Sequence, residues 1–212
     1  MEDRQLEWIT HSGVLAILRG VTEDSVVEVA SAVVDGGVTA LEITADTPNV
    51  TGLVDAVSDL FDDVLVGAGS VLDGETARAV QLAGAEFVVT PTVDPGVIET
   101  CNRYGTPVVA GAFTPSEALQ AYEAGAEFVK VFPAKTGGPE HVAAIGGPLP
   151  QIPLVPTGGV GPSNAGSYVE AGAAAVGVGS GIVSDEAVDR GEYSRITENA
   201  CRTVEAVAAA RE

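Results

Sequence analysis

AGAEFVKVFPA, residues 124–134, places a lysine in the middle of an apolar run, five residues after a glycine. Phe128, Val129, Val131 and Phe132 read as a buried strand, yet Lys130 interrupts them, and the chain has only one other lysine, Lys135. The same glycine-to-strand unit recurs as GGVTALE (36–42), AGAEFVV (83–89) and AGAAAVG (171–177). Five residues on from Gly37, Gly84, Gly125 and Gly172 stand Glu42, Val89, Lys130 and Gly177. A unit repeated around the chain predicts a repeated position in space.

Working outward, short apolar runs alternate with amphipathic stretches. The predicted strands are VLAIL (14–18), VTALEI (38–43), VLVG (64–67), EFVVT (86–90), PVVAG (107–111), EFVKV (127–131), IPLVP (152–156) and AAVGV (174–178). Between them lie helix-like segments that open on Ser, Thr or Asp and close on Gly, such as DPGVIETCNRYG and TPSEALQAYEAGA; these are the residues that satisfy helix ends. Strands apolar on both faces and alternating with helices predict a parallel α/β fold, a (β/α)₈ TIM barrel preceded by an N-terminal helix. The 212 residues carry no linker or break in composition, so the expectation is a single barrel domain over 1–212. In such a barrel the lumen is layered, each layer drawing on alternate strands. Strands two, four, six and eight then place Glu42, Val89, Lys130 and Gly177 at one level. A carboxylate and an amine face each other near the C-terminal strand ends, where barrel enzymes carry their chemistry. The alternatives are a structural ion pair, or a lysine whose head emerges between the helices.

Composition narrows the partners. Thirty acidic residues against ten basic ones give a net charge of −20. The acids are dispersed rather than gathered in a tail, and 46% hydrophobic residues argue against disorder. Such a surface repels itself at low salt and is calmed by screening, which suggests a halophilic protein of a salt-rich cytoplasm. Nucleic acid and anionic membrane are excluded as natural partners. No run is long enough to span a bilayer, and MEDRQLEWIT does not read as a secretory signal. Cys101 and Cys201 lack metal-like spacing and read as two thiols in a reducing, cytoplasmic setting. No metal or cofactor is expected.

A lysine in a barrel lumen is placed to be a nucleophile. Schiff-base formation uses the neutral amine, so it needs apolar, water-poor surroundings. Glu42 stands about a water's distance off in this reading, or shares a proton with the amine, and serves as proton shuttle. PTGGVGPSN (156–164) and VGVGSGIV (176–183) are glycine-rich strand exits, suited to cradle a phosphate on backbone N–H groups. GAGSVLDGE (67–75) offers a third turn with a hydroxyl, Ser70, and Arg19 ends strand one as a partner for either anion.

Taken together, AILRG, GGVTALEIT, VGAGSVL, FVVTP, FVKVFPA, PTGGV and VGVGS, in this order along nearly the whole chain, resemble the 2-keto-3-deoxy-6-phosphogluconate (KDPG) aldolase family. The resemblance implies a metal-free class I aldolase with a (β/α)₈ fold, usually a homotrimer, that cleaves a phosphorylated keto sugar acid to pyruvate and glyceraldehyde 3-phosphate. It implies Lys130 as the Schiff-base residue and Glu42 as general acid/base. Gly69 and Ser70 would receive the carboxylate, Pro91, Phe132 and Thr157 would line the pocket, and Gly158, Gly159, Gly179 and Ser180 would hold the phosphate. Many members carry an arginine four residues after the glutamate; here that position is Asp46, so the carboxylate is assigned to Arg19. The galactonate-specific branch shares AILRG but tends to lose the threonine of PTGGV, and Thr157 favours the gluconate form, with the galactonate epimer, or both, as the alternative. From residues alone, a phosphosugar isomerase or transferase with Lys130 as a plain cation, and a non-catalytic barrel, stay open. Lys135, His11 and His141 read as non-catalytic, and Trp8 as packing for the N-terminal helix.

Overall fold

The computed structural model describes residue 9 and residues 11–61 and 63–212. The expected N-terminal helix with Trp8 lies largely outside the described residues.

Eight parallel strands form one sheet: β1 (Val14–Leu18), β2 (Ala40–Thr44), β3 (Leu65–Gly69), β4 (Val88–Thr90), β5 (Val108–Ala112), β6 (Phe128–Val131), β7 (Leu154–Pro156) and β8 (Val176–Val178). From β1 to β7 each strand pairs with its sequence neighbours, and β1 also pairs with β8. The remaining seam, between β7 and β8, is bridged at Thr157 and Gly177. The result is the (β/α)₈ barrel. Outside it run α1 (Val26–Asp35), α2 (Val50–Ser58), α3 (Gly74–Leu82), α4 (Pro95–Tyr104), α5 (Pro115–Glu123), α6 (Ala134–Gly146), α7 (Ala165–Glu170), α8 (Asp185–Asp189) and α9 (Tyr193–Ala209). None of the described helices is long and apolar enough to cross a membrane.

Several strand-to-helix junctions are fixed by the polar openings seen in the sequence. Asp73 accepts from Thr76 N at 2.6 Å and Asp94 from Val97 N at 2.9 Å. Thr114 and Glu117 form a reciprocal cap, in which Glu117 Oε2 accepts from Thr114 N at 2.9 Å. These contacts satisfy N–H groups that the first helical turn leaves orphaned, and so hold loops short at the end of the barrel where strands exit.

Strand parity divides the interior in two. Leu41, Ile43, Val129 and Val131 face the helices in the larger apolar layer. Ala40, Phe87, Val89, Phe128 and Ala175 fill the lumen with Leu15, Leu65, Val109 and Val155. Two residues on from Ala40 is Glu42, and two on from Phe128 is Lys130, so alternation turns both inward. Full burial of each lumen phenylalanine contributes roughly 1.5–3 kcal/mol. The two ionisable groups above them are a cost, since several kcal/mol per ion is lost on leaving water.

β3 differs from its expected range of 64–67 by running on to Gly69. Its glycines at 67 and 69 serve the strand rather than a turn. A Cβ on Gly67 would lie 2.6 Å from the Phe87 ring, and one on Gly69 would overlap Glu42 Oε1. α6 also begins at once after β6, merging two helical pieces across Gly138, whose φ of 69° is left-handed.

Candidate active site

The C-terminal strand ends enclose a cleft of about 300 Å³. Its wall includes Ile17, Arg19, Glu42, Ser70, Pro91, Lys130, Phe132, Thr157, the turn at 158–160, Gly179, Ser180, Val183 and Asp185. Of the residues that the sequence assigns to catalysis or substrate binding, Gly69 alone is not on this wall; it lies beneath Glu42, where its missing side chain leaves room for the carboxylate.

Lys130 Nζ lies 3.9 Å from Glu42 Oε2, with side chains 5% and 1% exposed. The amine therefore points into the lumen, not out between helices. At that separation the groups are an ion pair without a hydrogen bond, and neither carboxylate oxygen of Glu42 accepts a hydrogen bond from the protein. Burial pushes the Glu42 carboxyl above its usual range; Lys130 and then Arg19 pull it back down, and Asp46 adds to the rise. A carboxyl held this way exchanges a proton more readily near neutral pH than a solvated one. The Phe132 ring centroid is 5.4 Å from Lys130 Nζ, and Phe132 itself is 40% exposed at the cleft mouth.

Opposite Ser70, the wall is made by two glycine turns. Gly158 and Gly159 both have positive φ, 92° and 81°, a conformation that side chains resist. Asn164 braces this turn, its Nδ2 donating to Gly159 O at 3.0 Å while its Oδ1 accepts from Gly161 N at 2.9 Å. Thr157 is buried beside it, and its hydroxyl donates to Val155 O at 3.2 Å. Gly177 is small because a Cβ there would overlap Thr157 Oγ1. The wall is thus shaped before any ligand arrives.

The position that departs from the family pattern has a structural partner. Arg19 Nη1 donates to Asp46 Oδ2 at 2.6 Å, both side chains being more than half exposed. Asp46 comes from the loop after β2 and Arg19 from the end of β1, so adjacent strands bring them together. An exposed pair contributes little to stability, but it holds the guanidinium at the cleft edge.

Other candidates fall away from the site. His141 Nε2 is hydrogen-bonded to Phe113 O at 2.7 Å and its ring packs on Phe113. His11 lies near the opposite, N-terminal end of the strands, where Arg211 donates to its carbonyl at 3.3 Å. Lys135 packs its stem against Gly159 from the first turn of α6 without reaching the cleft wall. Cys101 is buried and its thiol is pushed up to about 12, mainly by burial, and Cys201 is exposed. Among the described residues no group of three or more His, Cys, Asp or Glu gathers as a metal site. The wall also includes Ile17, Val160, Val183 and Asp185, which are not singled out individually in the sequence, although Val160 and Val183 fall within the two glycine-rich strand exits. Ile17 had a usable signal of its own, being two residues before Arg19 on the lumen side of β1.

With this geometry in view, a family model described as KDPG and KHG aldolase matches residues 6–199. The chain belongs to that family. It is accordingly an aldolase, a carbon–carbon lyase. It is 37% identical over 179 residues to 2-dehydro-3-deoxy-6-phosphogalactonate aldolase of Escherichia coli, covering 84% of this chain and 87% of that protein. It is 33% identical over 179 residues to 2-dehydro-3-deoxy-phosphogluconate aldolase of Pseudoalteromonas atlantica, covering 84% of this chain and 83% of that protein. The structure of KDPG aldolase from Legionella pneumophila superposes with a TM-score of 0.80 at 31% identity, over 90% of this chain and 92% of that one. That protein was captured with pyruvate as a covalent carbinolamine intermediate.

Proposed function

We propose that this aldolase works through a Schiff base on Lys130 and cleaves KDPG to pyruvate and glyceraldehyde 3-phosphate. The observation that carries the proposal is the Lys130–Glu42 pair, 3.9 Å apart and nearly sealed from water at the floor of the cleft. Two buried ionisable groups are a poor way to stabilise a barrel and a good way to run imine chemistry.

In this reading Lys130 Nζ attacks the C2 carbonyl to give a carbinolamine, which loses water to form the imine. Glu42, ionised, takes the proton of the C4 hydroxyl as the C3–C4 bond breaks. The bonding electrons move into the iminium as an enamine, and glyceraldehyde 3-phosphate leaves. Glu42 returns the proton to C3, and water releases pyruvate from Lys130. Arg19 and Ser70 serve the carboxylate end, and Gly69 beneath them leaves room for Glu42. Pro91, Phe132 and Thr157 line the middle. The turns at Gly158, Gly159, Gly179 and Ser180 seat the phosphate on backbone N–H groups.

The test is pyruvate release from the gluconate and galactonate forms, with borohydride reduction in the presence of pyruvate. The proposal expects a pyruvyl-sized mass on the Lys130 peptide and faster release from the gluconate form. An unmodified Lys130 rejects the imine. The galactonate form is the second reading, favoured by the 37% identical relative that acts on it; Thr157 on the cleft wall is what supports the gluconate form.

Two further results are expected. Gly69→Ala drives a methyl group into Glu42 Oε1 and to within 2.8 Å of Val89 Cβ, so the carboxylate must swing from Lys130. A displacement on that scale costs roughly 10²-fold in turnover, measured by steady-state kinetics beside an unchanged far-UV spectrum. The acid limb of the kcat/KM profile reports Glu42, which acts ionised. Because burial raises its pKa, activity falls as pH drops through a point above the usual carboxylate range. Asp46→Asn removes a charge that raises Glu42 and moves the limb to lower pH. Arg19→Met removes one that lowers it and moves the limb to higher pH. Limbs that do not move, or that move in the opposite senses, would show that another group titrates there.

A further inference from the structure

Asp185 stands on the cleft wall with Gly179, Ser180 and Val183, the segment that follows β8. Its carboxylate is exposed and belongs to none of the ion pairs among the described residues. Arg190, just past α8, and Arg195 of α9 are engaged elsewhere: Arg190 Nη1 lies 3.0 Å from Glu186 Oε1, and Arg195 Nη1 lies 3.3 Å from Glu192 Oε2. Ser184, not Asp185, caps α8, accepting from Ala187 N at 3.3 Å. Among the described residues the carboxylate is therefore spent on neither a cap nor a cation. The other charged residues of the wall are Arg19, Glu42 and Lys130, and Arg19 is already paired with Asp46. The glycine turns thus offer N–H donors beside a bare negative charge.

Resting on the aldolase reading above, we propose that Asp185 is a specificity-determining residue that holds down the preference for a phosphorylated substrate and lets the enzyme also cleave the unphosphorylated 2-keto-3-deoxy sugar acid. A phosphate seated on the 158–159 and 179–180 turns feels Asp185 as a like charge. A terminal hydroxyl at the same place is neutral and donates a hydrogen bond to it. The cleavage is the same retro-aldol step: the C3–C4 bond breaks, the electron pair enters the imine, the C4 hydroxyl proton goes to Glu42, and the products are pyruvate and glyceraldehyde. No co-reactant is needed beyond water.

The experiment compares kcat/KM for pyruvate release from the phosphorylated and unphosphorylated acids in wild type, Asp185→Asn and Asp185→Glu. Wild type is expected to release pyruvate from both. In Asp185→Asn the phosphorylated-to-unphosphorylated ratio rises by about tenfold, the scale of one near-surface like-charge contact, mainly through KM, and Asp185→Glu restores it toward wild type. Raising salt from 0.1 to 1 M shortens the Debye length from about 10 to about 3 Å, so screening of the Asp185 charge raises the phosphorylated-to-unphosphorylated ratio more in wild type than in Asp185→Asn. A position that only supports α8 would shift stability and leave ratio and salt response alone. A ratio that is unchanged or falls in Asp185→Asn, or no release from the unphosphorylated acid, overturns the proposal while borohydride still labels Lys130. No pyruvate from either acid and no label overturns the aldolase reading and this proposal together.

Discussion

Lys130→Met lowers pyruvate release by roughly 10⁴- to 10⁶-fold, the range over which removal of a covalent nucleophile or its essential partner falls, and abolishes borohydride labelling. The size of the effect follows from what the side chain alone supplies. The rest of the cleft can bind the substrate and polarise it, but only the amine turns C2 into an electron sink. Methionine is chosen because it keeps the length of the stem above Phe128 and removes a buried charge, so the lumen stays filled. Lys130→Arg separates the competing mechanisms. If the lysine were a plain cation for a phosphosugar isomerase, arginine would retain much of the activity. A guanidinium forms no imine with a ketone at neutral pH, so the proposed aldolase loses activity in both variants. Turnover in Lys130→Met within tenfold of wild type would remove the covalent mechanism.

The residues that make this prediction possible were legible in the sequence for one reason. The glycine that closes the helix before each even-numbered strand leads into that strand at a fixed register, and inward parity repeats every second residue. Counting from Gly37 and Gly125 therefore places Glu42 and Lys130 at one level from the sequence alone. The residues that escaped are those whose partners come from elsewhere in the chain. Gly69 looks like part of a turn in one dimension; it is a strand residue, and the Glu42 carboxylate occupies the space a side chain would take. The start of α6 has no polar cap to announce it, and its helical run passes Gly137, Gly138 and Pro139 with one left-handed residue at Gly138. Arg19 and Asp46 meet only because β1 and β2 are neighbours. Asp185 reaches the cleft because the chain turns back after β8, and no local pattern announces that return.

Glu42→Gln, the second large effect, lowers turnover by roughly 10²- to 10⁴-fold, as expected for loss of a positioned general acid/base, but leaves Lys130 able to be labelled. The two variants thus divide the mechanism: one removes the bond to the substrate, the other the proton traffic around it. Glutamine keeps the shape against Gly69 and Val89 and loses only the ionisation that burial has already made difficult. Its effect is therefore chemical, and the far-UV spectrum and melting transition serve as controls. Labelling with pyruvate and borohydride is expected to proceed more slowly, because Glu42 also assists the loss of water from the carbinolamine. The decisive measurement is hydrogen exchange at the pyruvate methyl group, which follows enamine formation without any carbon–carbon cleavage. Glu42→Gln slows that exchange together with turnover. Exchange at the wild-type rate with cleavage abolished would mean that the proton on C3 comes from another group, and that Glu42 serves only the C4 hydroxyl. Exchange and cleavage both at wild-type rates would leave the buried carboxylate without a catalytic role, and the Lys130–Glu42 pair would be structural after all.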